Sequence, residues 1–101
     1  MEGVAMRYSK LIWRHDSPTE PTRIISEYDA NGWERRKVEI FADGSVAFAS
    51  SNETVGGARL SEIRCPADDE VLSPEMNVVA ITADEFEREW DSARRAAAIH
   101  S

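Results

Sequence analysis

The chain has 101 residues, a net charge of −7 and a single cysteine, Cys65. A chain of this length is one domain with one modest core, burying roughly 65% of its unfolded surface. One cysteine excludes an internal disulfide framework, and 42% apolar against 31% charged residues argues against global disorder.

Residues 1–7 are expected to be a disordered terminus, with one α+β domain over 8–98 and a frayed end at 99–101. Tyr8 to His15 alternates, with Leu11 and Trp13 on one face and Lys10, Ile12 and Arg14 on the other, which predicts a first strand. Asp16-Ser17-Pro18-Thr19-Glu20-Pro21 breaks it, because proline fixes φ and removes a donor. Thr22 to Tyr28 predicts a second strand, with Ile24 and Tyr28 opposite Ile25. Asn31-Gly32 closes a hairpin onto a third strand, Trp33 to Phe41, and Asp43-Gly44 leads into a fourth, Ser45 to Ala49. These three strands predict an antiparallel meander. Ser50 to Gly57 reads as a loop, Arg59 to Cys65 as a short fifth strand, and Pro66 to Ala80 as irregular chain draped over a sheet edge.

The clearest local signal is a helix over 83–98. Thr82 at N-cap and Glu85 at N3 fit a capping box. Asp84, Glu85 and Glu87 suit the positive end of the helix dipole, and Arg94 and Arg95 the negative end. Phe86, Trp90, Ala93 and Ala97 recur at helical spacing as a packing stripe. The expected fold is thus α+β: a four- or five-stranded, mostly antiparallel sheet with one amphipathic C-terminal helix on a face. Its expected core is Leu11, Trp13, Ile24, Val38, Ile40, Val46, Phe48, Phe86 and Trp90.

The run Lys10-x-x-Trp13-x-His15, Asp16-x-Pro18-x-Glu20-Pro21, Glu27 and Gly32-Trp33-Glu34-x-Arg36-Lys37-Val38-Glu39-x-Phe41-x-Asp43-Gly44 resembles a family of small bacterial single-domain proteins. That family is catalogued as a domain of unknown function. Gly56-Gly57-x-Arg59-Leu60 and Glu85-Phe86-x-x-x-Trp90 fit the same outline, so the resemblance covers about residues 8–91. By analogy of size and charge, it implies an immunity-like role beside a toxin.

Charge is unevenly spread. Residues 1–41 hold seven Lys/Arg and seven Asp/Glu; residues 42–101 hold five Lys/Arg and twelve Asp/Glu, which carry the whole −7. An acidic half repels phosphate backbones, so no nucleic-acid partner is expected, whereas a basic protein surface suits it. The expected partner surface centres on Asp68, Asp69, Glu70 and Glu75. No apolar run approaches the ~20 residues of a membrane span, and residues 1–7 lack the apolar run of a signal peptide. A cytoplasmic protein with no membrane partner is therefore expected.

The densest polar group is Trp13, His15, Asp16, Glu20, Glu27, Trp33, Glu34, Arg35 and Arg36. One reading has Trp13 and Trp33 flanking a cleft for a planar or anionic ligand, since guanidinium forks match carboxylate and phosphate. The other is a solvated sheet face with Trp–Arg stacking and cross-strand ion pairs. His15 and Asp16 are adjacent, and adjacent strand residues point to opposite faces, so they do not by themselves form an acid–base dyad. His15, Cys65 and His100 are isolated, so no metal and no cofactor is expected. The favoured reading is a non-catalytic protein-binding domain, inhibitor- or immunity-like; the alternative is a small-molecule-binding domain or enzyme using the Trp/Arg/Glu face. An apolar second face with Ile12, Ile25 and Phe41 leaves monomer and homodimer both open.

Overall fold

The computed structural model describes residues 6–60 and 76–100, with side chains followed to Ala97. Six strands and one helix appear in chain order: β1 (Arg7–Trp13), β2 (Arg23–Tyr28), β3 (Glu34–Ile40), β4 (Val46–Ser50), β5 (Thr54–Val55), β6 (Met76–Ala80) and α1 (Ala83–His100). They form one sheet of order β5-β4-β3-β2-β1-β6, every neighbour antiparallel. The α+β class and the β2–β3–β4 meander are as predicted; the sheet has six strands instead of four or five.

The two extra edges explain the difference. β5 is only two residues long and lies in the stretch read as a loop, too short for alternation to show. Arg59 and Leu60, where a fifth strand was expected, are not strand; the rest of that stretch, 61–65, lies outside the described residues. β6 lies in the stretch read as irregular, and it pairs along β1 from Ser9↔Ala80 to Trp13↔Met76. Four of its five residues are exposed, so it carries no inward–outward pattern. The disordered and frayed ends expected at 1–7 and 99–101 fall partly outside the described residues; Arg7 opens β1 and α1 continues to His100.

The turns follow local chemistry. At the β2–β3 turn the Asp29 carboxylate accepts from the N–H groups of Asn31 (2.9 Å) and Trp33 (3.0 Å), and Gly32 takes φ 89°, a left-handed value that side chains resist. At the β3–β4 turn Asp43 accepts from both the N–H and the hydroxyl of Ser45, which lowers its carboxyl pKa. Thr82 caps α1 by accepting from Glu85 N–H at 3.1 Å. The Glu85 carboxylate reaches Lys10 on β1 at 3.3 Å, so the cap also ties helix to sheet.

The helix covers the face that carries Tyr8, Lys10, Ile25, Glu27, Arg36, Val38, Ile40, Val46 and Phe48. The main core is Ile25, Val38, Ile40, Phe48, Phe86, Trp90 and Ala93. The expected core had Ile24, Leu11 and Trp13 in this layer. The register sets Leu11 opposite Ile24 and Lys10 opposite Ile25, and because side chains alternate, covering Lys10 and Ile25 turns the other pair to the far face. Leu11, Trp13 and Ile24 are half-buried there. On that far face Ala47, Ala49 and Ala58 form a smaller cluster with Phe41 and Leu60.

Candidate functional site

Four groups of polar and aromatic side chains stand out, and the fold separates residues that sequence proximity had gathered. The first lies between sheet and helix. Glu27 and Arg36 are register partners on β2 and β3. The Arg36 guanidinium donates from Nε to Glu27 Oε1 (2.7 Å) and from Nη2 to Glu27 Oε2 (2.8 Å), the two-pronged geometry that suits arginine and carboxylate. It also donates to Glu87 on α1 at 2.5 Å. Its flat group lies 4.8 Å from the Phe86 ring centre and 5.1 Å from that of Trp90, within cation–π range. Hydrogen bonding to Glu27 raises the Arg36 pKa above its ordinary value, against the opposing effect of burial. Tyr8 joins the group through Glu27 and packs on Phe86 with ring centres 5.4 Å apart. Burial, then the Glu27 charge, raises the Tyr8 pKa. The arrangement is a latch whose charged groups are spent on one another.

The second group is the β1–β2 loop. His15 Nε2 lies 2.8 Å from the Pro21 carbonyl, and its Nδ1 accepts from Ser17 N–H at 3.0 Å, a pattern that fits the Nε2–H tautomer. The Trp13 ring meets the His15 ring edge-on at 4.4 Å. His15 therefore shapes its own loop with both nitrogens. Asp16 and Glu20 are exposed.

The third group lies at the other end of β2. Trp33 precedes β3 and is 39% exposed; Arg35 approaches Asp29 at 3.8 Å. A hollow of about 500 Å³ here is lined by Met6, Asp29, Ala30, Asn31 and Arg35. Trp13 ends β1 beside Thr22, whereas Trp33 follows the turn after Tyr28. The length of β2 separates them, roughly 20 Å at ~3.3 Å per residue, so the two tryptophans do not flank one cleft.

The fourth group, on the far face, joins one residue of the expected set, Glu34, to Ser26, Lys37 and Glu39, which lie outside that set. Glu34 accepts from Ser26 Oγ at 3.0 Å and pairs with Lys37 Nζ at 3.1 Å, with the Glu34 side chain 4% and that of Lys37 14% exposed. Glu39 stands on the same face, its carboxyl pKa raised by burial first and by Glu34 and Glu20 next, against the pull of Lys37. Ser26 and Lys37 are register partners; the alternation of Lys37 and Glu39 with Val38 and Ile40 was the available signal. The expected acidic surface, Asp68, Asp69, Glu70 and Glu75, lies outside the described residues. Among the described residues no three His, Cys, Asp or Glu side chains are grouped to hold a metal, and no described helix is long and apolar enough to cross a membrane.

A family model described as Domain of unknown function (DUF6881) matches residues 7–95, from the start of β1 well into α1. Neither a curated protein nor a solved structure matches the chain.

Proposed function

The chain belongs to the DUF6881 family, whose function is itself unknown, and we propose that it is a non-catalytic domain that binds a basic protein partner, as an inhibitor or immunity-like factor does. The observation that carries this reading is where its charges lie. The sheet's Lys10, Arg36 and Lys37 are each paired with a carboxylate of the chain itself. The stretch from Asp68 to Asp91 holds nine Asp/Glu and one cation, Arg88, and in its described part Asp84 and Asp91 are exposed on α1. Such a surface steers a basic partner and repels nucleic acid.

The test is capture of partners from the native host at low and high salt, read by quantitative mass spectrometry. One stoichiometric protein is expected, released at high salt and lost when Asp68, Asp69, Glu70, Glu75, Asp84 and Asp91 are reversed to lysine. Undiminished capture by that variant sinks the reading. The hollow beside Arg35 favours the alternative, a small-molecule site reduced to the Trp33–Arg35 end of the sheet; metabolite binding lost in Arg35→Ala would select it.

A further inference from the structure

The two hairpin turns of the meander are built alike. In the β2–β3 turn Gly32 N–H donates to the Asp29 carbonyl (2.9 Å) and Asp29 N–H to the Trp33 carbonyl (3.0 Å). In the β3–β4 turn Gly44 N–H donates to the Phe41 carbonyl (2.9 Å) and Phe41 N–H to the Ser45 carbonyl (2.9 Å). Both glycines have φ 89°, and among the described residues no other residue type has positive φ and no peptide bond is cis. A bond from the fourth residue to the first, with negative φ at the two between, is a type I turn, here followed by a left-handed glycine. The turns differ in the residue before that glycine: Asn31 in one, Asp43 in the other.

An Asn-Gly pair can modify itself. The glycine nitrogen attacks the asparagine Cγ, a new C–N bond closes a five-membered succinimide, and the side-chain nitrogen leaves as ammonia with the glycine N–H proton. Water then opens the ring. Addition at the side-chain carbonyl gives aspartate; addition at the main-chain carbonyl gives isoaspartate, whose chain runs through the former side chain. Gly32 has no Cβ to hinder the approach, and Asn31 is exposed. The turn opposes the reaction. The ring needs the Gly32 nitrogen eclipsed with the Asn31 Cβ about the Cα–C bond. The third residue of a type I turn, with ψ of about 0°, instead eclipses that nitrogen with its own backbone nitrogen. The bond to the Asp29 carbonyl also keeps Gly32 N–H protonated, and the Asp29 carboxylate holds the N–H groups on either side, Asn31 at 2.9 Å and Trp33 at 3.0 Å. Asp43 in the twin turn is spared, because the Ser45 hydroxyl and N–H hold its carboxyl in the ionised form, which resists attack.

We propose that Asn31 is a self-modification site held shut by its turn: it deamidates only in molecules whose β2–β3 turn has opened, and Asp29 keeps that turn closed. The two products differ in consequence. Aspartate at position 31 reproduces the Asp43-Gly44 turn and lets the hairpin close again. Isoaspartate adds one main-chain carbon, so the bonds from Asp29 to Gly32 and Trp33 cannot all re-form. This holds whatever the domain binds.

The experiment ages the full chain beside a capped peptide of residues 28–35 at neutral pH. The tryptic peptide Ile24–Arg35 is then resolved by chromatography and mass spectrometry into asparagine, aspartate and isoaspartate forms. Asn52 and Asn77, followed by Glu53 and Val78, are internal controls. Folded protein reacts about tenfold or more slower than the peptide, as an opening equilibrium requires. Asp29→Ala, which loses two hydrogen bonds to a charged acceptor, reacts about tenfold faster than the parent. In urea below the unfolding transition, the parent's rate rises in step with hydrogen exchange at Gly32 N–H, which decides the matter should Asp29→Ala unfold. The isolated isoaspartate form melts below Asn31→Asp, which melts with the parent. A folded chain that reacts as fast as the peptide overturns the proposal. So does a folded Asp29→Ala as slow as the parent, or a rate that stays flat in urea while Gly32 exchange quickens. An isoaspartate form as stable as Asn31→Asp overturns the distinction between the products.

Discussion

Arg36 on β3 holds Glu27 on β2 through two hydrogen bonds of 2.7 and 2.8 Å while its guanidinium lies against Phe86 and Trp90 of α1. One side chain thus joins the two layers of the fold at the centre of their contact. The apolar rings set the helix on the sheet, and the paired charges fix where along the sheet it sits. Glu27 is 7% exposed, so Arg36 takes the place of water beside its carboxylate.

Replacing Arg36 by methionine strands the Glu27 carboxylate and removes the cation over both rings. Breaking a buried pair costs about 3–5 kcal/mol; with the Arg36 side chain 22% exposed, the expected loss is about 2–4 kcal/mol by urea denaturation. The double variant Glu27→Leu with Arg36→Met recovers much of it, since no charge is then left buried. A double variant as unstable as the sum of the singles shows that the pair is not coupled.

Tyr8 reports on the same latch. Its pKa is raised above the ordinary value of 10.0 by burial and then by Glu27. Folded protein therefore holds the phenolic proton more tightly than unfolded chain. That stabilisation is full below the unfolded value and is lost as pH rises through the folded one. Phenolate absorbance in a Tyr28→Phe background is expected to show a midpoint above 10.0, moving down in Glu27→Gln. A midpoint at or below 10.0 contradicts the placement of Tyr8.

Glu39 gives the corresponding prediction at acidic pH. Burial raises its carboxyl pKa above the ordinary 4.5, so the folded state binds the proton more tightly and stability from this group falls as pH rises above 4.5. Glu39→Gln is expected to raise the melting temperature at pH 7 and to have little effect at pH 4. A drop in melting temperature at pH 7 means that the pull of Lys37 outweighs desolvation.

How much of this was legible from the residues alone depended on period and range. α1 announced itself because capping, dipole charges and the Phe86, Trp90, Ala93 stripe all agree within one segment. The hairpin turns did so because Asn31-Gly32 and Asp43-Gly44 are local chemistry. The side of the sheet that the helix covers was not local. Ile24-Ile25 is apolar on both faces, and only the β1–β2 register with the seating of α1 decides between them. The proposed cleft failed for the same reason: Trp13 and Trp33 both flank β2 in sequence, yet a strand separates them in space. β6 was missed because an exposed edge strand has no buried face to impress a pattern on.

Thr82 offers a local test of the helix start. Its hydroxyl accepts from Glu85 N–H at 3.1 Å, and losing such a cap costs about 1 kcal/mol. Thr82→Ala is expected to lose that much and Thr82→Ser to lose almost nothing. Equal losses in a denaturation series show that the hydroxyl is not the cap.

Gly56 and Gly57 separate backbone strain from steric clash within one turn. Both have positive φ, 74° and 87°, where an L side chain costs about 1–2 kcal/mol. A Cβ on Gly57 meets nothing within 4 Å. On Gly56 it lies 2.8 Å from the Ala47 Cβ, 3.2 Å from the Ala47 Cα and 3.3 Å from the Val46 carbonyl, so the β5 turn must move off β4. Gly57→Ala is therefore expected to cost about 1 kcal/mol and Gly56→Ala about 1–3 kcal/mol more, as overpacking does. Because Ala47 packs with Ala49 and Ala58, the larger loss in Gly56→Ala is expected to be accompanied by faster hydrogen exchange along β4. Equal losses for the two variants place the turn away from Ala47 and undo the second apolar cluster.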